Sequence, residues 1–188
     1  LVFTLHHERK NAEKVELQKI RPVLFCAINK EQLTADGFEI RMPNCTNDYD
    51  FIRWRINNVS ENVANHVRIV DERTYIKDQE ELHEIDSDTL LDDYGISIMT
   101  VSMQDYIALE PHGVAQNRTN FFLETDEQGE YKINSAFDFL NAITIEYSDI
   151  KGIGAYRSKF TFHININIDN RNNPHVFIES VETTLLDE

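Results

Sequence analysis

Residues Leu140–Ile168, LNAITIEYSDIKGIGAYRSKFTFHININI, decide the fold. In the second half, Tyr156, Phe160, Phe162, Ile164, Ile166 and Ile168 share one parity, and Arg157, Lys159, Thr161, His163, Asn165 and Asn167 share the other. A period of two is that of a β-strand with one buried face and one wet face. The first half repeats it, with Ile143, Ile145 and Tyr147 set against Ala142, Thr144 and Glu146. Between them lies Ser148–Ala155, where Asp149, Gly152 and Gly154 tolerate the backbone angles of a reversal. The segment reads as a long β-hairpin. Its second strand is longer than the roughly five or six residues of an average strand, so a bend or bulge is expected near His163–Asn167.

Working outward, the chain of 188 residues fits one domain large enough to bury a real core. Six Gly and four Pro among many aromatic and β-branched residues rule out a low-complexity or disordered chain. A net charge of −15 argues against nucleic acid as the partner, because a phosphate backbone demands a dense Lys/Arg footprint. The charge is uneven: Leu1–Arg21 holds five Lys or Arg against three Glu. Of the two cysteines, Cys26 lies in an apolar run and reads as a small buried side chain, and Cys45 lies in the polar loop Asn44–Asp50. Free thiols, and a reducing compartment, are the expectation. The sequons at Asn44, Asn58 and Asn117 are what chance produces in an Asn-rich chain.

The start, LVFTLHHERKNAEK, is an apolar pentamer followed at once by His6, His7, Arg9, Lys10 and Lys14. It has the look of the trailing end of a hydrophobic segment with its basic flank, with an ordinary helix start or a tag remnant as the alternatives. Glu8–Ile20 contains strong helix formers and no breaker before Pro22, so a helix is expected there. Residues 1–21 are therefore read as a membrane-proximal segment and helix, and 22–188 as a β domain. Val23–Ile28 and Phe38–Met42 read as strands, and Phe51–Val70 as a second hairpin turning through NNVSENVAN, with Trp54 as a core anchor. Asp78–Asp93 is an acidic excursion whose Leu82, Ile85 and Leu90 are spaced as on a short helix. Ile96–Met103 and Tyr106–Leu109 return to strand, Glu110–Asn120 reads as a loop, and Phe121–Ile133 as a third hairpin around Thr125–Gly129. One helical turn is expected over Ser135–Phe139, and a last strand over His175–Leu185. The fold expected is mainly β: an antiparallel, immunoglobulin-like β-sandwich with an N-terminal helix and one short helical excursion.

Two pieces, INNVSENVANHVRIVDE (Ile56–Glu72) and LNAITIEYSDIKGIGAYRSKFTFHI (Leu140–Ile164), resemble the recurring signatures of a loose group of uncharacterised bacterial membrane-anchored proteins. Asn58 and Ala64 fall on the first signature, although Ser60-Glu61-Asn62 stands where glycine is usual. Tyr147, Asp149, Ile150, Gly152 and Tyr156 match the second, a Y-x-D-I/x-G-x-x-Y hairpin, with Gly154 as one extra residue before the second tyrosine. The resemblance implies an N-terminal transmembrane helix and a short basic stretch ahead of a β-sandwich, and it carries no catalytic residues.

No motif for chemistry emerges. The seven histidines show no H-x-x-x-H or Cys-linked spacing; His163 and His175, on adjacent strands with Asp169 nearby, are the pair best placed to meet, and solvent-facing strand histidines are the simpler reading. The run Asp86, Asp88, Asp92, Asp93 offers oxygens for calcium but lacks the glycine and closing Glu of an EF-hand. Neither a nucleophile elbow nor a glycine-rich phosphate loop is present. The expected function is a non-catalytic, membrane-tethered sandwich, with no cofactor and no metal, that contacts another protein or itself. The candidate surface is Leu82, Ile85, Leu90 and Leu91, with a helix capping the open end of the sandwich as the plainer reading of the same segment. The membrane is reached through a segment upstream of residue 1. The positive-inside bias of the basic flank puts the domain on the cytoplasmic side, with an extracytoplasmic placement as the alternative. Two other functions compete: a carbohydrate- or calcium-binding surface domain, and a hydrolase with a carboxylate or histidine site.

Overall fold

The computed structural model describes residues 15, 20–28, 33–34, 37–41, 50–78, 81–102, 108–133, 137–152, 154–169, 171–172 and 174–186. In chain order the elements are β1 (Leu24–Ile28), β2 (Leu33–Thr34), β3 (Gly37–Arg41), β4 (Asp50–Asn58), β5 (Ala64–Asp78) and β6 (Glu81–Ile85). There follow α1 (Ser87–Tyr94), β7 (Ile96–Ser102), β8 (Ala108–Leu109), β9 (Val114–Leu123), β10 (Phe137–Ser148), β11 (Ala155–Ile168) and β12 (Pro174–Leu186). They form two antiparallel sheets. The smaller runs β1-β4-β9-β7, and the larger β2-β3-β12-β11-β10-β5-β6, with β8 pairing on β5.

The hairpin β10–β11 sits mid-sheet, in unbroken register from Phe137↔Ile166 to Ser148↔Ala155. Ile143, Ile145 and Tyr147 are buried with Phe160, Phe162, Ile164 and Ile166, which is the parity that alternation assigns to the core. Against expectation, β11 itself carries no bulge: its alternation is unbroken, and in the register shift between His163 and Ile164 the extra residue, Glu179, sits on the neighbouring strand β12.

Sheet faces sheet across aromatic contacts. Trp54 of β4 is 0% exposed, and its ring centroid lies 6.1 Å from that of Phe160 and 5.5 Å from that of Phe162, both edge-to-face. Each such ring contributes about 1.5–3 kcal/mol by burial, and the edge-to-face geometry adds about 0.5–1.5 kcal/mol. Leu24, Ile56 and Phe121 from the small sheet and Ile143, Ile145, Ile166 and Val176 from the large one fill the layer around them. At the β1 end the backbone N–H of Cys26 donates to Thr183 Oγ1 at 3.4 Å, joining the two sheets. The result is a sandwich-like β domain.

Several expectations are corrected. The hairpin over Phe51–Val70 does not form, because β4 belongs to the small sheet and β5 to the large one, and the turn between them is a crossover. Asn58 makes that corner: its Nδ2 lies 3.0 Å from the Leu109 carbonyl and 2.6 Å from that of Asn62, and its Oδ1 accepts from Ser60 N and Oγ. Glu110–Asn120 is not a loop. The turn closes at Gly113, whose N–H donates to the Glu110 carbonyl at 2.8 Å, and β9 begins at Val114. Its polarity misleads because Asn117 and Thr119 point inward and are buried. Buried Asn58 and Asn117 leave their sequons no accessible amide, and Asn44 lies outside the described residues. The third hairpin reduces to one bridge, Thr125↔Tyr131, over a turn held by Asp126. At the expected helical turn, Phe137–Phe139 is already strand, and 134–136 lie outside the described residues.

Most of the expected helix Glu8–Ile20, with Leu1–Leu5 and Cys45, also lies outside the described residues; Val15 and Ile20 have helical backbone. No helix among the described residues is long and apolar enough to cross a membrane.

Because Phe162 lies between the sheets, Phe162→Ala should lower unfolding free energy by about 3–5 kcal/mol in urea titrations, and Phe162→Asp should abolish the cooperative transition. An unchanged midpoint for Phe162→Asp would mean that this face of β11 is not the buried one.

Candidate functional site

The acidic excursion is half strand and half helix. Residues 81–85 return along β5 in the register Asp78↔Glu81 to Thr74↔Ile85. Asp86 then caps α1, its Oδ1 accepting from the Thr89 N–H at 2.8 Å and its Oδ2 from the Thr89 hydroxyl at 2.9 Å. The helix ends where the Gly95 N–H reaches the Leu91 carbonyl at 2.8 Å. The single helical face expected from Leu82, Ile85 and Leu90 is therefore broken at Asp86. Leu82 on β6 is 54% exposed, Leu90 on α1 is 2% exposed and part of the core, and Ile85 and Leu91 are intermediate.

A cavity of about 310 Å³ opens where β6 and α1 meet β5, β7 and β10. Its polar lining includes Glu72, Arg73, Glu84, Asp86 and Asn141, and Ile85, Leu90 and Ile98 supply an apolar wall. Ile85 and Leu90 were legible candidates; Glu72 and Asn141 were not, since strand parity says nothing about what converges from different strands.

A directed chain of hydrogen bonds leads into this cavity from the core. Trp54 Nε1 donates to Thr119 Oγ1 at 3.1 Å, the Thr119 and Thr100 hydroxyls are 2.8 Å apart, and Thr100 Oγ1 donates to Glu72 Oε1 at 2.7 Å. A carboxylate only accepts, so Thr100 donates to Glu72, and Thr119 must donate to Thr100. Glu72 also accepts from Asn141 Nδ2 at 3.0 Å. Asn141 is 1% exposed, and its Oδ1 has no hydrogen-bond partner among the described residues.

The other charges here are already engaged. Arg73 donates to Asp71 Oδ2 at 2.7 Å and to Glu84 Oε2 at 3.0 Å. The Thr89 N–H, then its hydroxyl, hold Asp86 below the ordinary carboxylate range. Elsewhere Arg68, then Arg157, hold Glu146 down, and burial pushes the Cys26 thiol up. All these shifts move away from neutrality, the opposite of what acid–base catalysis near pH 7 uses. Among the described residues no group of three or more His, Cys, Asp or Glu is placed to hold a metal ion. His163 and His175 do not meet: His175 pairs with Asn167, about 13 Å along β11 from His163. His175 Nε2 instead lies 3.4 Å from Asp169 Oδ2, and His163 Nε2 lies 3.7 Å from Glu182.

The residues that carried the family resemblance turn out to build turns. Buried Asp149 accepts from Lys151 N and Gly154 N, both at 2.8 Å, and from the Tyr156 hydroxyl at 3.2 Å. Gly152 takes φ +64°, and a Cβ on Gly154 would collide with the Tyr156 phenol. Tyr147 packs on Tyr156 at 5.8 Å and hydrogen-bonds Ser158 Oγ. Comparison with protein-family models, with curated proteins and with solved structures returned no match.

Leu90→Ala should cost about 2–5 kcal/mol in chemical denaturation, whereas exposed Leu82→Ala should stay within about 0.5 kcal/mol. Equal effects would contradict their assigned burial. Burial, then the charge of Asp149, raises the Tyr156 phenol above its ordinary value. A raised folded-state pKa makes its stabilisation complete below about pH 10, to be lost as pH climbs through the raised value. Tyr156→Phe should start about 0.5–1.5 kcal/mol lower and lose less on alkaline titration. Parallel alkaline curves would exclude this linkage.

Proposed function

We propose that the chain is a non-catalytic, membrane-tethered, immunoglobulin-like β-sandwich that works by contact with another protein or a second copy of itself through strand β6 and the cavity beside it. The observation that carries this reading is the position of β6 at the end of the larger sheet, with Leu82 exposed on it. An edge strand offers unpaired backbone groups to an incoming strand, and its flanking charges, Glu81, His83 and Glu84, limit indiscriminate pairing. The hydrogen-bonded engagement of Glu72, Glu84 and Asp86 supports contact over hydrolysis. The two facing sheets around one tryptophan support the immunoglobulin-like reading.

The tether rests on the apolar-then-basic order of residues 1–14. Ahead of β1, the Arg21 guanidinium lies 5.3 Å from the Tyr156 ring centroid and donates to the Leu186 carbonyl at 3.4 Å. The positive-inside bias places the domain on the cytoplasmic side.

A photo-crosslinking residue at position 82 of the membrane-embedded protein should give a discrete adduct that one at exposed Glu61, in the crossover at the far end of β5, does not, and Leu82→Asp should abolish the association with the melting temperature unchanged. Identical association in Leu82→Asp would remove β6 from the interface. In intact cells Cys45 should resist an impermeant thiol reagent, and labelling would reverse the orientation.

A further inference from the structure

We infer that one end of the sandwich, the end with the β4–β5 crossover and the turn of the central hairpin, rests on the lipid surface with Val59 and Ile150 inserted among the headgroups. This orientation depends on the tether proposed above and adds to it how the domain sits on the bilayer. Ten large apolar side chains are exposed among the described residues, and five of them, Phe25, Val59, Val114, Ile150 and Leu185, belong to this end. Register gathers them. Asn57 pairs with both Phe25 and Val114, Ser148 pairs with Ala155, and Ser158 pairs with Leu185. The crossover from Asn58 to Ala64 and the pair Ser148↔Asn65 join the two sheets at the same end. Apolar side chains scattered singly are ordinary on a protein surface, whereas a set collected where the chain turns suits an apolar neighbour.

The two tips are held from inside. Ile150, 66% exposed, follows Asp149, which accepts from Lys151 N and Gly154 N; Val59, 53% exposed, follows Asn58, whose Oδ1 accepts from Ser60 N. A turn already fixed loses little freedom when its tip enters the headgroup layer, where apolar groups of surface-bound elements sit about 5–10 Å deep. The chain also joins residues 1–20 here. The Val59 N–H donates to the Val23 carbonyl at 2.9 Å, and two residues earlier Arg21 reaches the Leu186 carbonyl. A tether upstream thus brings this end to the bilayer before any other. Lys151 follows Ile150 at its tip, and Glu61 in the crossover lies 3.1 Å from His112 Nε2, so in a chain of net charge −15 this end meets anionic headgroups with little repulsion. Strand β6 pairs with the opposite end of the 15-residue β5, roughly 45 Å away, which leaves it facing a partner in solution.

The test couples the 188-residue chain, through its N-terminus, to a lipid in nanodiscs of phosphatidylcholine and phosphatidylglycerol, which supplies a tether whatever the natural one is. In a Cys45→Ser background, bimane attached at Ile150→Cys should be quenched by lipids nitroxide-labelled near the top of the acyl chain, and bimane at Leu82→Cys should not. Val59→Asp, checked for native amide dispersion, should cut the quenching at position 150 by about half or more, because a carboxylate at the neighbouring tip opposes insertion. No quenching at position 150, equal quenching at 150 and 82, or quenching that Val59→Asp leaves unchanged would overturn the inference. So would a crosslink from position 150 to a second copy of the chain in place of quenching. Fractionation of cells expressing the protein from its natural start tests the tether separately. Recovery away from membranes removes the tether and this orientation with it; recovery in membranes without quenching removes the orientation alone.

Discussion

Trp54 is the point on which the rest of the molecule depends. Its ring meets Phe160 and Phe162 edge-on across the gap between the sheets, and its indole N–H, which would otherwise be stranded in that gap, finds Thr119. One side chain thereby sets the spacing of the sandwich and requires a polar acceptor on the neighbouring strand. Satisfying that acceptor draws in Thr100 and then Glu72, so the demand for a partner passes from the core outward until it reaches the carboxylate beside the cavity. Packing and polarity are coupled here because a buried donor must be matched wherever the sheets close on it.

The turns follow a comparable logic. Asn58 at the crossover and Asp149 at the central hairpin are both buried polar side chains that gather the loose backbone groups of a reversal. Without them, the chain would have to expose or abandon those groups where it leaves the sheet. These two residues lie in the two stretches quoted for the sequence resemblance, and what they do in the structure is turn the chain. A resemblance of this kind speaks to architecture, and function has to be argued from the surface and the cavity.

At the cavity, structural roles absorb most of the charge. Asp86 caps a helix, Glu84 holds Arg73, and Glu72 receives both Thr100 and Asn141. What is left over is one amide oxygen, fixed in place by its own partner's demand for a donor.

The residues that the sequence made legible are those whose neighbours along one strand decide their fate. Alternation over Leu140–Ile168 determined the hairpin and its buried parity, because a period of two leaves a strand one face for the core. The same local reasoning found Trp54 and the burial of Cys26. It fails where burial and polarity part company: Asn117 and Thr119 look solvated, yet they line the inside of β9, so that Glu110–Asn120 reads as a loop although most of it is strand. It failed again where pairing partners are distant, since nothing in Phe51–Val70 reveals that β4 and β5 join different sheets. Only the tertiary structure could separate exposed Leu82 from buried Leu90, or bring Glu72, Thr100 and Asn141 within hydrogen-bonding reach. They come from three strands in two sheets, and convergence of that kind is set by how the sheets stack, which no local period encodes.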